Sequence, residues 1–110
     1  MLNEKDYCDY ETSVALKELG YPTKMTFIGE QATIEIPINS GLISLYEAQK
    51  WLRDEKQIHI VLTYYSQIGW YEYSVKEDDN LIAEGSVFPT YEEALSTAIY
   101  MAVEYLKEGK

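Results

Sequence analysis

The sequence has few of the residues that catalysis and metal binding usually require. Among its 110 residues are one cysteine, Cys8, and one histidine, His59. A single cysteine excludes an intrachain disulfide, and one residue of each kind cannot supply a structural zinc site. A Cys-His or Ser-His-Asp centre would need His59 as its base, but this histidine lies within a strand pattern, where a solvent-facing position explains it more simply. We therefore expect no catalytic residues, no metal and no cofactor.

Basic residues are scarce as well. The nine Lys and Arg are outnumbered by nineteen Asp and Glu, which gives a net charge of −10. Proteins bind nucleic acids and anionic membranes through clustered Lys and Arg side chains, so direct binding of either is not expected. The six glycines are isolated, which excludes a glycine-rich phosphate loop. No apolar run is long enough to span a bilayer and no signal-peptide pattern is present, so the expected location is the cytoplasm.

Helical and alternating patterns predict a single α+β domain over residues 1–110 in the order α-β-β-α-β-β-β-α. Ser44 and Thr90 are each followed three residues later by glutamate, which indicates a capping box at the start of a helix. Short connections between strands require antiparallel pairing, so we expect a β-hairpin plus a three-stranded meander, with helices on one face. The predicted helices cover residues 11–19, 44–55 and 91–107, and the predicted strands cover 24–28, 32–38, 57–65, 69–76 and 81–87.

Tyrosine is the most abundant aromatic residue, with eleven copies beside two Trp and two Phe. Several lie on adjacent predicted strands, where alternation sends about half of the side chains away from the helices. The candidate protein-binding surface is an exposed aromatic strip formed by either Tyr65 with Trp70 or Tyr71 with Tyr73. The alternative is that these aromatics only stabilise the sheet through cross-strand pairs.

Four stretches carry a resemblance to known sequences: residues 43–53, 58–61, 70–74 and 91–95. They resemble small uncharacterised proteins of gut Bacteroides-type bacteria and of their prophages or mobile elements, and the resemblance covers about two thirds of the chain. It implies a phage-derived protein without known catalytic residues. Residues 85–98 also resemble the strand-to-helix passage of HicB-type antitoxins, which bind and block a small toxin.

These observations support several hypotheses of function. The leading one is a non-enzymatic accessory or protein-binding domain with an unknown protein partner. The second is an acidic nucleic-acid mimic, which presents carboxylates at phosphate-like spacing to a host nuclease or DNA-binding protein. The third is an antitoxin-like, toxin-binding protein. An enzyme of unrecognised type would need a deep pocket around His59 or around convergent carboxylates.

Overall fold

The structure is a computed structural model that describes residues 4–38 and 41–109. The predicted order of elements is confirmed, and no predicted boundary differs from the observed one by more than one residue. After a 3-10 turn at Glu4–Asp6, the elements are α1 (Tyr10–Glu18), β1 (Lys24–Ile28), β2 (Thr33–Pro37), α2 (Leu45–Lys56), β3 (Ile58–Tyr65), β4 (Trp70–Glu77), β5 (Asn80–Phe88) and α3 (Tyr91–Lys107).

Side-chain caps begin the two longer helices where the sequence predicts them. The Ser44 hydroxyl accepts a hydrogen bond from the Glu47 amide at 3.1 Å, and the Thr90 hydroxyl accepts one from the Glu93 amide at 3.1 Å. Each bond satisfies a backbone N–H that has no partner within the helix. Gly20 follows α1 with a φ of 115°, a conformation that glycine adopts without a steric penalty.

Strands β3, β4 and β5 form an antiparallel meander. Helix α3 lies across all three strands, α2 packs along β3, and α1 contacts α3. The helices therefore cover one face of the sheet and enclose a single core. The largest fully buried hydrophobic side chains are Leu16, Leu45, Leu52, Ile58, Val75, Leu95, Ile99 and Val103. Within the described ranges, no helix is both long and apolar enough to cross a membrane.

The meander has a covered face and an open face. Ile58, Ile60 and Val75 are buried beneath the helices, as their alternation predicts. Their neighbours His59 and Val61 point the other way and are exposed. No helix of the described chain covers this second face, so one side of the sheet faces solvent.

A bulge in β5 shapes one end of the covered face. The register shifts between the pairs Tyr73–Gly85 and Tyr71–Phe88, which leaves an extra residue in β5. Val87 within the bulge has a φ of 71°, a conformation that strains a β-branched residue. The shift brings the Phe88 ring to 5.7 Å from that of Tyr73, measured between centroids.

Strands β1 and β2 form a separate antiparallel sheet, which we call the hairpin arm. The two strands contact each other and make few contacts with the helices or the meander, which together form the body. The molecule measures 61 × 36 × 21 Å with a radius of gyration of 16.0 Å. A compact domain of this length has a radius of about 13 Å, so the arm projects from the body.

Candidate functional site

The hairpin arm exposes an apolar face. Met25 pairs with Ile36 across the two strands, and Ile34 lies two residues from Ile36, so the three side chains share one face. Their exposed fractions are 47%, 57% and 45% for Met25, Ile34 and Ile36. The opposite face is mostly polar and carries an ion pair of 2.7 Å between Lys24 and Glu35, but it also exposes Ile28. One face of the arm is thus apolar, and the two strands make few contacts with the rest of the described chain.

The base of the arm is held against α2. The rings of Tyr21 and Trp51 meet edge to face with 5.5 Å between centroids, and the Lys56 ammonium lies 5.5 Å from the Trp51 ring centroid. The Tyr21 hydroxyl donates to the Glu47 carboxylate at 3.2 Å. Burial, followed by the Glu47 charge, raises the pKa of Tyr21 to about 12. These contacts fix the point from which the arm leaves the body.

The two aromatic pairs proposed for the strip lie on opposite faces of the meander, and the helices cover one of them. Tyr65 and Trp70 pair across β3 and β4 on the open face, and the Tyr65 hydroxyl donates to Glu72 at 3.0 Å. Tyr71 and Tyr73 lie on the covered face. Tyr73 is only 4% exposed, so its assignment to a binding surface is wrong: β4 turns this side chain into the core. A binding role for Tyr65 and Trp70 stays a prediction.

Tyr71 instead belongs to a different aromatic cluster, which we call the tyrosine row. Its four rings come from α2, α3, β4 and β3 and lie in the order Tyr46, Tyr91, Tyr71, Tyr64. Successive ring centroids are 6.3, 5.8 and 4.8 Å apart. Tyr46 and Tyr64 at the two ends are 48% and 53% exposed, whereas the middle rings are half-buried. The four rings therefore form one connected cluster beside the first turns of α2 and α3, and the cluster is most exposed at its two ends.

The two ends of the row differ chemically. The Tyr46 hydroxyl donates to the Glu92 carboxylate at 3.3 Å, and partial burial together with that carboxylate raises the pKa of Tyr46. Glu92 also lines a depression of about 370 Å³, together with Asp9, Glu93 and Lys5 among others.

At the far end of the row, Tyr64 lines a second depression of about 280 Å³ in the β3–β4 turn. Ile68 lines the same depression and is exposed. One end of the row is thus acidic, with three carboxylates near one ammonium, and the other end offers an apolar side chain.

Cys8 and His59 lie apart. Cys8 is buried in the core, its amide donates to the Ile43 carbonyl at 2.8 Å, and burial raises the pKa of its thiol to about 12. The thiol is therefore protonated at neutral pH and a poor nucleophile. His59 projects from the open face, across the sheet from the core. Among residues 4–38 and 41–109, no three His, Cys, Asp or Glu side chains are grouped as metal ligands would be.

Comparison of the chain with protein-family models, curated proteins and solved structures found no match. The resemblance to Bacteroides-type proteins and to antitoxins therefore stays an expectation. The assignment of a site depends on the geometry of this chain alone.

Two features of the site were not predicted from the sequence. The helical patterns place Tyr46 and Tyr91 on α2 and α3 and predict no further role for them, although each lies in the first turn after a capping residue, Ser44 or Thr90. That shared position is the available signal, because helices covering the same sheet can begin at the same end. The exposure of the arm's apolar face had no signal, since its alternation is the same as that of a covered strand.

Proposed function

We propose that this chain is a non-enzymatic protein-binding domain whose hairpin arm docks on a partner protein. The observation that carries this proposal is the exposed face of Met25, Ile34 and Ile36 on an arm that leaves the body. Exposed apolar patches on folded proteins mark sites of interaction. The arm also presents free strand edges, and an extended partner segment can pair with such edges.

Energetics support a bound arm. An isolated two-stranded sheet is marginally stable in water, because it lacks a second layer against which to bury its apolar side chains. Covering Met25, Ile34 and Ile36 recovers about 25 cal/mol for each Å² of apolar surface removed from water. A partner that covers this face therefore both gains affinity and orders the arm.

The chemistry of the ionisable residues supports a role without catalysis. The Cys8 thiol is buried and held in its protonated form, and His59 lies on the opposite side of the meander. The two residues best suited to nucleophilic chemistry thus do not form a pair.

A matched pair of variants tests the arm. Met25→Lys/Ile36→Lys places two charges on the apolar face, and Thr26→Lys/Thr33→Lys places the same two charges on the polar face. Each immobilised variant is incubated with a lysate of the natural host, and captured proteins are quantified by mass spectrometry. We expect a partner that the wild type and the polar-face variant retain and that the apolar-face variant loses. Equal capture by both variants, or no protein above background with the wild type, contradicts the proposal.

The salt dependence of binding separates this function from that of a nucleic-acid mimic. An apolar docking face holds its partner in 0.5 M NaCl, whereas a nucleic-acid mimic binds through exposed carboxylates and releases its partner as salt screens them. An antitoxin-like role is distinguished by the identity of the partner, which would be a small toxin. A phage or mobile-element origin is tested by the genes that neighbour this one.

A further inference from the structure

We propose that the tyrosine row binds a proline-rich segment of a partner protein that carries a basic residue beside its prolines. This surface lies on the body, at the first turns of α2 and α3, and is distinct from the apolar face of the hairpin arm. The inference goes beyond docking through the arm, and either surface can fail its test without affecting the other.

The geometry of the row suits an extended, proline-rich chain. Proline-rich segments adopt the polyproline II conformation and dock on grooves lined by aromatic rings. The separations between successive ring centroids limit the span of the row to at most about five residues in that conformation, at ~3.1 Å per residue. Tyrosine offers a flat apolar ring for a proline. Tyr46 and Tyr64, at the two ends, are the most accessible rings.

Charge selects a peptide over a nucleic acid and sets its direction. Aromatic rows that stack on nucleobases lie beside Lys and Arg side chains, which neutralise the phosphates. The Tyr46 end of the row instead lies beside the Glu92 carboxylate. The depression next to it carries Asp9, Glu92 and Glu93 around a single Lys5. The Glu92 carboxylate accepts a hydrogen bond from the neutral Tyr46 hydroxyl, and its charge attracts an arginine or lysine side chain and repels a phosphate. The basic residue of the ligand therefore lies at the Tyr46 end.

The other end of the row accepts an apolar side chain. The depression in the β3–β4 turn has Tyr64 on one side and an exposed Ile68 among its lining residues. The ligand thus has a basic residue at one end, prolines in the middle and an apolar residue at the other end. Glu92, the tyrosine row and Ile68 define this order independently of the identity of the partner.

Selection from a random peptide library tests the ligand class without assuming a sequence. A phage-displayed library of random dodecapeptides is panned on the full chain and, in parallel, on the Tyr46→Ala/Tyr64→Ala variant. We expect the wild type to enrich sequences with at least two prolines next to an arginine or lysine, and the variant not to enrich them. Enrichment of sequences without proline, identical sequences on both proteins, or no enrichment on the wild type overturns the proposal.

Fluorescence anisotropy with one selected, fluorescein-labelled peptide then tests each residue. We expect Tyr46→Ala and Tyr64→Ala each to weaken binding about tenfold, as the loss of an interface aromatic does. Tyr100→Ala, which removes an exposed tyrosine elsewhere on α3, should leave the affinity within about twofold, in line with a substitution outside the interface. Similar losses for all three variants contradict a site at the row.

Two further titrations with the same peptide test the role of charge and the class of the ligand. Glu92→Gln should weaken binding of the basic peptide about threefold, the size expected of an exposed ion pair. It should not weaken binding of the same peptide with glutamine in place of its arginine or lysine. Equal weakening of both peptides contradicts the assigned direction. Displacement of the peptide by oligothymidine or by a soluble oligosaccharide overturns the peptide as ligand. The arm variant Met25→Lys/Ile36→Lys should bind the peptide normally, which separates failure of this site from failure of the arm.

Discussion

The hairpin arm and the meander are built from similar alternating sequences but end in different environments. Ile34 and Ile36 in the arm alternate as Ile58 and Ile60 do in β3, yet the first pair is exposed and the second is buried. Alternation therefore decides which side chains share a face but not whether anything covers that face.

The connections explain the difference. Gln57 alone separates α2 from β3, and only residues 89–90 separate β5 from α3. Connections this short require each helix to fold back on the strand beside it. The arm is joined to α1 and α2 by longer segments, 19–23 and 38–44, which impose no such packing. The short connections thus place β3 and β5 beneath the helices, and β4 enters the core because it pairs between them.

The largest contrast between the two regions is expected in stability. Leu52→Ala removes a fully buried side chain of α2 and should lower the free energy of unfolding by about 2–5 kcal/mol, because it leaves a cavity in the core. Ile36→Ala removes a half-exposed side chain of the arm and should change it by less than about 1 kcal/mol. Urea unfolding followed by circular dichroism measures both. Comparable losses for the two variants would show that the arm packs into the cooperative core.

Sequence patterns predicted most of this fold, and the physical reason is local. Capping residues such as Ser44 and Thr90 fix helix starts through bonds to nearby amides, and short turns fix antiparallel pairing. The site was predicted less well because it depends on which elements meet. Alternation placed Tyr71 and Tyr73 on one face, but only packing of α3 decides that this face is the covered one. The row joins residues from four elements, and no single pattern contains Tyr46 and Tyr64 together.

A smaller effect is expected where β5 crosses the buried ring of Tyr73. A Cβ placed on Gly85 would lie 2.5 Å from Tyr73 Cε2, so Gly85→Ala forces the ring to move within a packed core. We expect a loss of about 1–3 kcal/mol, typical of overpacking. Gly41→Ala is the matched control, because nothing lies within 4 Å of its added Cβ, and it should stay within about 0.5 kcal/mol of the wild type. A neutral Gly85→Ala variant would mean that the meander is packed as loosely as the arm.

The smallest effect on stability is expected at the start of α3, the helix that covers the meander but not the arm. Thr90→Ala removes the hydroxyl that caps the Glu93 amide and should lower the free energy of unfolding by about 1 kcal/mol. Thr97→Ala is the same chemical change inside α3, where the hydroxyl only donates to the Glu93 carbonyl and alanine is the better helix former. It should therefore be neutral or slightly stabilising in the same urea experiment. A loss at Thr97 as large as that at Thr90 would mean that lost packing, and not the missing cap, explains the result. Since the cap positions the first turn of α3, which carries Tyr91, only Thr90→Ala should also weaken the peptide selected on the tyrosine row.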